Sequence, residues 1–377
     1  MSRPLVVVSL EPWDEVRRRN QYLVGGLLDA DVARTALFVE PPADPLYELR
    51  SGRRPRLASG LRTSQAYGGR LRLLEPVKSL PRAVGPLADR ILHDQVRRAV
   101  DRLGWRDPIL WVNDPRWWGL AARTGWDTVY DITDDWTRAD RAPREHARLV
   151  AGDEALLALS ARVVVCSTGL AETKRASRPV TLIPNAVDVA RYRRPLPRPG
   201  DLPEGPVALY LGTLHEDRLD VGLLQRTAAR VAGAGGTVVL VGPDALSARH
   251  GELLRATPGL LLLGARAWDA VPAYLQHAQA LIVPHLVSPF TDSLDPIKAY
   301  EYLAVGRPVV ATPVAGFRER AGRRGVTVVP ATGFPGAVAG ALGTSAEGAR
   351  EQVPDWSQRV ADYDALLRGL GSPGGDG

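Results

Sequence analysis

Short apolar runs rich in valine and leucine recur along this chain, most of them followed by a stretch with apolar residues at helical spacing, and that alternation constrains the fold more than any other feature. Leu5–Leu10, Thr35–Glu40, Arg70–Glu75, Pro108–Asn113, Thr128–Asp131, Arg162–Ser167 and Val180–Pro184 read as strands in the first half. Val207–Leu211, Thr237–Val241, Leu260–Leu263, Ala280–Pro284, Pro308–Thr312 and Val326–Val329 repeat the pattern in the second. Continuous apolar runs of this length are buried on both faces, which in an alternating chain means parallel sheets covered by helices. The helical stretches between them include Arg17–Ala30, Pro81–Leu103, Val221–Ala232, Leu246–Ala256 and Val271–Ala278.

At 377 residues the chain is long for one core, so two domains are expected. Arg191–Pro206, with its prolines and arginines and few apolar residues, reads as the linker, with the boundary near residue 195. The turn after Leu5–Leu10 lacks Gly-x-Gly-x-x-Gly, which removes the main support for a dinucleotide-binding domain. The basic loop Arg50–Arg56 is expected to be mobile, and the final Gly-Ser-Pro-Gly-Gly-Asp-Gly disordered on composition.

The formal net charge is +6, divided as about +9 over residues 1–200 and about −3 over the remainder. The arginines are scattered among acids without a nucleic-acid motif, so no nucleic-acid partner is expected. The asymmetry suits anionic lipid head groups or a phosphorylated acceptor, hence peripheral contact with an anionic membrane. The single cysteine, Cys166, lies in the apolar run A-R-V-V-V-C-S and has no internal partner for a disulfide. With no signal peptide at the N-terminus and no apolar stretch of membrane-spanning length, a cytoplasmic protein is expected, peripheral at the inner face of the membrane if it meets one.

The most informative stretch is Thr291–Gly316, T-D-S-L-D-P-I-K-A-Y-E-Y-L-A-V-G-R-P-V-V-A-T-P-V-A-G. A polar loop leads into a short helix that stops at Gly306 and restarts as the strand Pro308–Thr312. The helix is expected to begin at Pro296 with Asp295 as its N-cap, so an anion there would meet its positive end. Lys298 and Glu301, three apart, share a face and can address two parts of one ligand.

The run P-I-K-A-Y-E-Y-L-A-V-G-R-P-V-V-A-T resembles the donor-binding signature of retaining, nucleotide-sugar-dependent glycosyltransferases of family four, which have the GT-B fold. The branch related to teichuronic acid biosynthesis reads "PxKxxEYLA", "YDxxDDW" and "RxQxL", and this chain has Lys298, Thr133-Asp134-Asp135-Trp136 and Arg18-Arg19-Asn20-Gln21 in similar contexts. L-I-P-N-A-V-D is similar to the family's "IPNGVD", which leads into the interdomain linker.

The resemblance implies an α/β chain of two Rossmann-like parallel-sheet domains facing a central cleft. Residues 1–190 would bind the acceptor, residues 204–350 the nucleotide-sugar donor, and a helix at about 355–370 would cross back to the first domain. By the resemblance, Glu301 is the second Glu of a Glu, seven residues, Glu motif and binds the ribose hydroxyls. The first Glu of that motif is replaced by Ser293, with Asp292 and Asp295 as the nearby carboxylates.

Glycine at the end of Val207–Leu211 lets backbone approach a phosphate, and Thr213 adds a hydroxyl. Where the family has a Gly-Arg turn and a later lysine, this chain offers Gly212, Thr213, Arg218 and Lys298, so Arg218 and Lys298 are the candidates to clamp a diphosphate. Fixed cations stabilise a departing nucleoside diphosphate without a metal. Lys298, Arg218 and Glu301 are therefore the expected catalytic group. Gly212, Thr213, His215, His285, Ser293, Asp295, Pro296, Ile297 and Glu301 are the expected donor contacts. His277, late in a helical stretch, is read as a complement to the helix C-terminus.

In the first half, Arg19, Asn20, Gln21, Asp134, Asp135 and Trp136 are the acceptor candidates, because sugar hydroxyls need acceptors and the C–H face of a sugar packs on rings. Asp134 or Asp135 could equally cap the next helix. No metal site and no cofactor are expected, the donor being a nucleoside-diphosphate sugar with UDP-sugar favoured. A sugar-nucleotide epimerase or a phosphorylase on the same fold is the rival enzyme, although a phosphorylase would need a pyridoxal lysine. A sugar-nucleotide-binding protein without turnover is the rival from another class.

Overall fold

The computed structural model describes residues 2–31, 34–50, 52, 54–55, 58–80, 84–138, 141–288, 291–293, 295–344 and 352–370, apart from the side chain of Ser293. The chain divides into two compact units. One holds the residues up to Pro184 together with those from Trp356 onward, and the other is Asn185–Asp355. The expected disorder of the last seven residues and parts of the Arg50–Arg56 loop and of Pro81–Leu103 lie outside the described residues.

The first unit contains β1 (Leu5–Val8), β2 (Ala36–Val39), β3 (Gly60–Thr63), β4 (Leu71–Glu75), β5 (Ile109–Val112), β6 (Thr128–Ile132), β7 (Arg162–Val165) and β8 (Thr181–Leu182). They form one sheet in the order β3-β4-β2-β1-β5-β6-β7-β8. All pairings are parallel except β3 with β4. Every residue of β1, β2, β5 and β6 is buried, as strands covered on both faces require. The edge strand β3 was not expected: Gly-Leu-Arg-Thr is four residues long and partly exposed, and carries no β-rich pattern to announce it.

A buried ion pair ties this unit together. Arg19, first residue of the helix Arg19–Ala30, lies with its Nε 3.2 Å from Asp131 Oδ2 in β6. It also donates to the Ile183 carbonyl at 2.8 Å and to the Tyr363 hydroxyl at 3.0 Å. Asp131 Oδ2 further accepts from Asn113 Nδ2 at 3.2 Å and Trp111 Nε1 at 3.3 Å. The Tyr363 ring stacks on Trp111 at 4.5 Å, and Trp356 stacks on Tyr22 at 5.0 Å. Two aromatic stacks and one guanidinium thus fix the helix Trp356–Arg368 to strands and a helix some 200 to 350 residues earlier in sequence.

In the second unit β9 (Val207–Leu211), β10 (Thr237–Val241), β11 (Leu260–Gly264), β12 (Ala280–Val283), β13 (Val309–Ala311) and β14 (Val326–Val328) form an all-parallel sheet in the order β11-β10-β9-β12-β13-β14. The strand order reverses between β9 and β12. In open α/β sheets, ligands bind beyond the strand C-termini at such a reversal.

The segment Arg191–Pro206 is not a free linker. Its first residues belong to the helix Val189–Arg193, Tyr192 and Leu202 are buried, and Gln276 Nε2 donates to the carbonyls of Tyr192 and Arg194. Proline and arginine content misled there, because the arginines carry apolar stems and cap carbonyls while the few apolar residues do the packing. His277 likewise meets the Leu196 carbonyl at 2.8 Å through Nε2, so it fastens this segment rather than acting as a free charge at a helix end. Among the described residues, no helix is long and apolar enough to cross a membrane.

Breaking one half of a buried ion pair leaves the other charge uncompensated, at a cost of about 3–5 kcal/mol. Asp131→Ala is expected to lower the unfolding free energy by about that much in urea titrations of the full chain. A loss below about 1 kcal/mol would mean that water reaches Arg19 and that the pair is not what holds the unit together.

Candidate functional site

The switch point of the second sheet is shaped by two glycines. Gly212 follows β9 with φ +139° and Gly242 follows β10 with φ +148°. A Cβ at Gly242 would collide with the Gly212 carbonyl, and one at Gly212 would stand 2.8 Å from Lys298 Nζ. Only glycine leaves room for that ammonium against the backbone.

Lys298 lies in the first turn of the helix Ile297–Val305 and is half-buried. Its Nζ donates to the Tyr210 hydroxyl at 2.9 Å and stands 4.1 Å from the centroid of the same ring. The Tyr210 hydroxyl in turn lies 3.3 Å from His285 Nε2. His285 is buried, with its backbone N–H on Thr312 Oγ1 at 3.1 Å and its carbonyl accepting from that hydroxyl at 2.7 Å. The loop carrying Arg218 is fastened beside it, since the Leu286 N–H donates to the Arg218 carbonyl at 2.7 Å.

Burial, aided by the charge of Arg218 and opposed by that of Glu301, draws the Lys298 ammonium down to about 7. Burial and then the charges of Lys298 and Arg218 push His285 well below the usual imidazole range, so it is neutral at neutral pH. Glu301 is raised by burial, against the hydrogen bond from the Tyr192 hydroxyl and the charges of Lys298 and Arg191. Glu301 and Lys298 thus share a helix face, as their spacing predicts, but the hydrogen bonds they make go to different tyrosines.

The entry to this helix differs from expectation. Its N-cap is Pro296, which provides no side-chain cap, and the first helical residue is Ile297. Asp295 does not cap. Its carboxylate accepts from the Asn185 backbone N–H at 2.7 Å and from the Tyr300 hydroxyl at 2.9 Å, and its carbonyl takes Asn185 Nδ2 at 2.6 Å. Tyrosine five residues on, an asparagine 110 residues earlier and Arg320 at 3.7 Å outcompete the local cap. The first-turn amides of Ile297 and Lys298 have no intrahelical acceptor, which is the ordinary state of a helix N-terminus and the reason such ends receive anions. Asp292 pairs with Arg318 at 3.1 Å.

Two of the expected donor contacts sit at the edge of this cluster. Thr213 is exposed, and His215 is half-exposed with Nδ1 2.9 Å from Asp217. Arg218 lies with Nε 3.7 Å from the same Asp217. Tyr210, Tyr192 and Gly242 were not singled out from sequence. A tyrosine inside the aliphatic strand Val-Ala-Leu-Tyr-Leu was the available signal, because a buried phenol needs a partner.

The acceptor candidates divide. Arg19 is buried in the ion pair described above and Gln21 is buried with its Nε2 on the Pro12 carbonyl, so both serve the fold rather than a ligand surface. The sequence pattern misled because a polar helix start looks the same whether it faces solvent or a buried carboxylate. Asn20 bridges Ser9 and Asn113 at 3.1 and 2.8 Å, just past β1 and β5, where the order of the first sheet reverses. Asp135 is buried between Thr137, Arg138 at 3.3 Å and Lys174 at 3.7 Å. Asp134 and Trp136 remain half-buried. Glu11, not noticed in the sequence, joins them. Surrounding protein raises its carboxyl to about 7, against Arg18 and with help from Asp134 and Asp14, a shift tempered by a side chain still 42% exposed. Among the described residues, no group of three or more His, Cys, Asp or Glu side chains is arranged to hold a metal ion.

Residues 205–346 match the family described as glycosyl transferases group 1. Over 221 residues, 54% of this chain, the sequence is 25% identical to a protein of Bacillus subtilis (strain 168) described as a teichuronic acid biosynthesis glycosyltransferase, TuaH. That stretch spans 55% of the relative, about half its length. Among solved structures, sucrose-phosphate synthase from Thermosynechococcus elongatus superposes with a TM-score of 0.72 at 17% identity, over 98% of this chain and 99% of that one. A UDP-forming α,α-trehalose-phosphate synthase from Burkholderia vietnamiensis gives 0.66 at 15% identity, over 98% and 99%. The E. coli trehalose-6-phosphate protein bound with UDP-2-fluoro glucose gives 0.62 at 13%, over 97% and 95%. At these identities the structures establish the fold, GT-B, and no more.

A lysine whose ammonium is disfavoured by burial weakens the fold wherever it stays charged. That penalty is complete below its folded value of about 7 and fades as pH climbs toward the ordinary lysine range. Lys298→Met is therefore expected to raise stability by about 1–2 kcal/mol at pH 6, after allowance for solvent at the half-buried site, with the gain shrinking between pH 7 and 10. Destabilisation at pH 6, read from urea midpoints, would show that Tyr210 and its neighbours more than offset the burial.

Proposed function

We propose that this chain, whose residues 205–346 match the glycosyl transferases group 1 family, is a retaining glycosyltransferase moving a sugar from a nucleoside-diphosphate sugar to an acceptor. The observation that carries the reading is the convergence of Gly212, Lys298 and the helix start at Ile297 on the switch point between β9 and β12. Close backbone approach, a fixed ammonium and free helix-end amides are together what a diphosphate requires.

In this reading Lys298 and Arg218 balance the charge that develops on the departing diphosphate, and Glu301 binds the ribose hydroxyls, exchanging the Tyr192 hydroxyl for them. The Asp295 side chain is buried and held by Asn185 and Tyr300, whereas Asp292, paired with Arg318, keeps about a third of its side chain exposed, so we assign to Asp292 the contact to the donor sugar that the replacement of the first Glu by Ser293 removes. Retention follows from attack on the face the leaving group departs. The acceptor oxygen bonds to the anomeric carbon, the bond from that carbon to the phosphate oxygen breaks, and the acceptor proton passes to that phosphate oxygen. Asn20, Asp134, Asp135, Trp136 and Glu11 are the groups proposed to hold the acceptor in the first unit.

UDP is the first base to try, since one relative by fold is described as UDP-forming and another holds a UDP-sugar analogue. A cell-wall glycan acceptor is favoured over a lipid-linked sugar or a secondary metabolite by the description of the Bacillus relative alone. The helix Pro45–Arg50 buries none of its residues and exposes Tyr47 and Leu49 beside a run containing Arg50 and Arg54. That combination of exposed apolar and cationic side chains supports peripheral contact with anionic lipid.

Thermal-shift measurements with UDP, GDP, CDP, dTDP and ADP, with and without Mg²⁺, test the donor site. One nucleotide at about 100 times its dissociation constant should add about 2.7 kcal/mol, and Glu301→Ala should weaken its binding by about 1.5–3 kcal/mol. No shift with any of the five would remove the donor site. Binding without hydrolysis or transfer would favour a binding protein. For the membrane, co-sedimentation with phosphatidylglycerol vesicles but not phosphatidylcholine vesicles is expected, and Tyr47→Ser with Leu49→Ser should abolish most of it. Equal recovery with both lipids would end that proposal.

A further inference from the structure

The donor reading gives Lys298 a task but leaves unexplained why its ammonium rests on a phenol inside the sheet. Tyr210 is the fourth residue of β9, is 1% exposed, and lies opposite Leu240 of β10, one residue beyond the point where β12 pairs with β9 at Leu209. Its hydroxyl is the point where three elements meet: β9 itself, the helix Ile297–Val305 through Lys298, and the segment after β12 through His285. The backbone at the next residue is also fixed, because the Leu211 N–H donates to the Tyr302 hydroxyl at 3.0 Å.

We propose that Tyr210 is a positioning residue of the diphosphate site, accepting from Lys298 Nζ while giving its own proton to His285 Nε2, so that the ammonium is held against the Gly212 backbone before any ligand arrives. The proposal rests on the donor-site reading and deepens it. The donor direction follows from charge. An ammonium can only donate, so the phenol oxygen must accept, and the phenol proton must then find another acceptor. A neutral imidazole supplies one, and His285 is buried under conditions that keep it neutral. The aromatic face below Nζ adds cation–π attraction without adding a competing negative charge. A carboxylate in place of the phenol would also hold the lysine, but it would neutralise the charge that the ligand is meant to meet.

The charged and titratable groups facing Lys298 are Arg218 from the loop after β9, Glu301 from its own helix, Tyr210 and His285. Asp217 acts on Tyr210 from the same loop as Arg218. Removing the phenol oxygen takes away a hydrogen-bond partner that the charged form of Lys298 uses more strongly than its neutral amine does. The lysine then loses its proton at lower pH, and anion binding fails at lower pH with it.

The test is calorimetric titration of the full-length protein with inorganic pyrophosphate at pH 6 and pH 8, comparing wild type with Tyr210→Phe. Taking the ratio of the two proteins at each pH cancels the titration of pyrophosphate itself. The ratio should be near one at pH 6 and rise about threefold to tenfold at pH 8, tenfold corresponding to one unit of displacement. An equal ratio at both pH values would overturn the proposal, because a merely structural phenol affects affinity without regard to pH. Should Tyr210→Phe not fold, His285→Leu carries the test. It removes the acceptor of the phenol proton, so its profile should move in the same direction by a smaller amount, and an unmoved profile counts against the proposal equally. If wild type binds pyrophosphate at neither pH, the diphosphate site itself is wrong, an outcome distinct from a pH-independent ratio.

Discussion

The second unit is organised around one unfavourable act, the holding of an ammonium among buried groups at the end of a parallel sheet. Lys298 loses solvation there, and Arg218 adds repulsion. Neither would persist on a flexible surface, where the side chain would swing into water. It persists because the ground beneath it is rigid. β9 is paired on both sides, Leu211 is hydrogen-bonded to the buried Tyr302, and the two glycines let neighbouring backbone close in without a Cβ to hold it off. Strain and desolvation concentrated in a well-packed frame are a common mark of a binding site.

The same logic explains the crowded polar knot at the foot of the helix Ile297–Val305. Asp295 takes the backbone and side chain of Asn185, the Tyr300 hydroxyl and the approach of Arg320, whose guanidinium lies 4.5 Å from the Tyr300 ring centroid. A Cβ on Gly316 would strike Pro296, so the chain after β13 also presses on the helix start. Each contact fixes where the first helical amides point. An N-cap made by Asp295 would have satisfied one of those amides internally and reduced what is left for an anion. Proline at the cap position, with its own N–H missing, leaves them open.

The sequence carried the architecture well because parallel sheets write themselves in a readable code. Val207–Leu211, Thr237–Val241 and Val221–Ala232 coincide with their observed bounds, since strands buried on both faces are uninterrupted apolar runs and the helices over them keep one apolar face. The edge strand β3 and the folded segment after Asn185 were illegible for the converse reason. What holds them is backbone pairing and carbonyl capping by Gln276 and Arg198, interactions that leave no apolar period behind. In the site, Lys298, Glu301 and Gly212 were legible through motif spacing. Tyr210 and Tyr192 were not, because their importance lies in what they touch across the fold, 88 and 109 residues away. Arg19 failed in the opposite sense: the motif identified a residue worth naming, but burial against Asp131 gave it a different duty.

The charges in the second unit also bear on what kind of ligand the proposed site would take. Arg218 disfavours the charge on Lys298, burial pushes Glu301 toward its neutral form, and the Tyr210 phenol carries no charge of its own. A cation brought to this cluster would add a third positive charge beside Lys298 and Arg218. A neutral sugar would relieve nothing. A dianionic group at the Gly212 turn would restore Lys298 to full charge, offset the repulsion from Arg218 and use the free helix amides at one stroke. The cost of keeping Lys298 charged among buried groups is therefore offset best by an anionic ligand, which is the physical ground for proposing a diphosphate there.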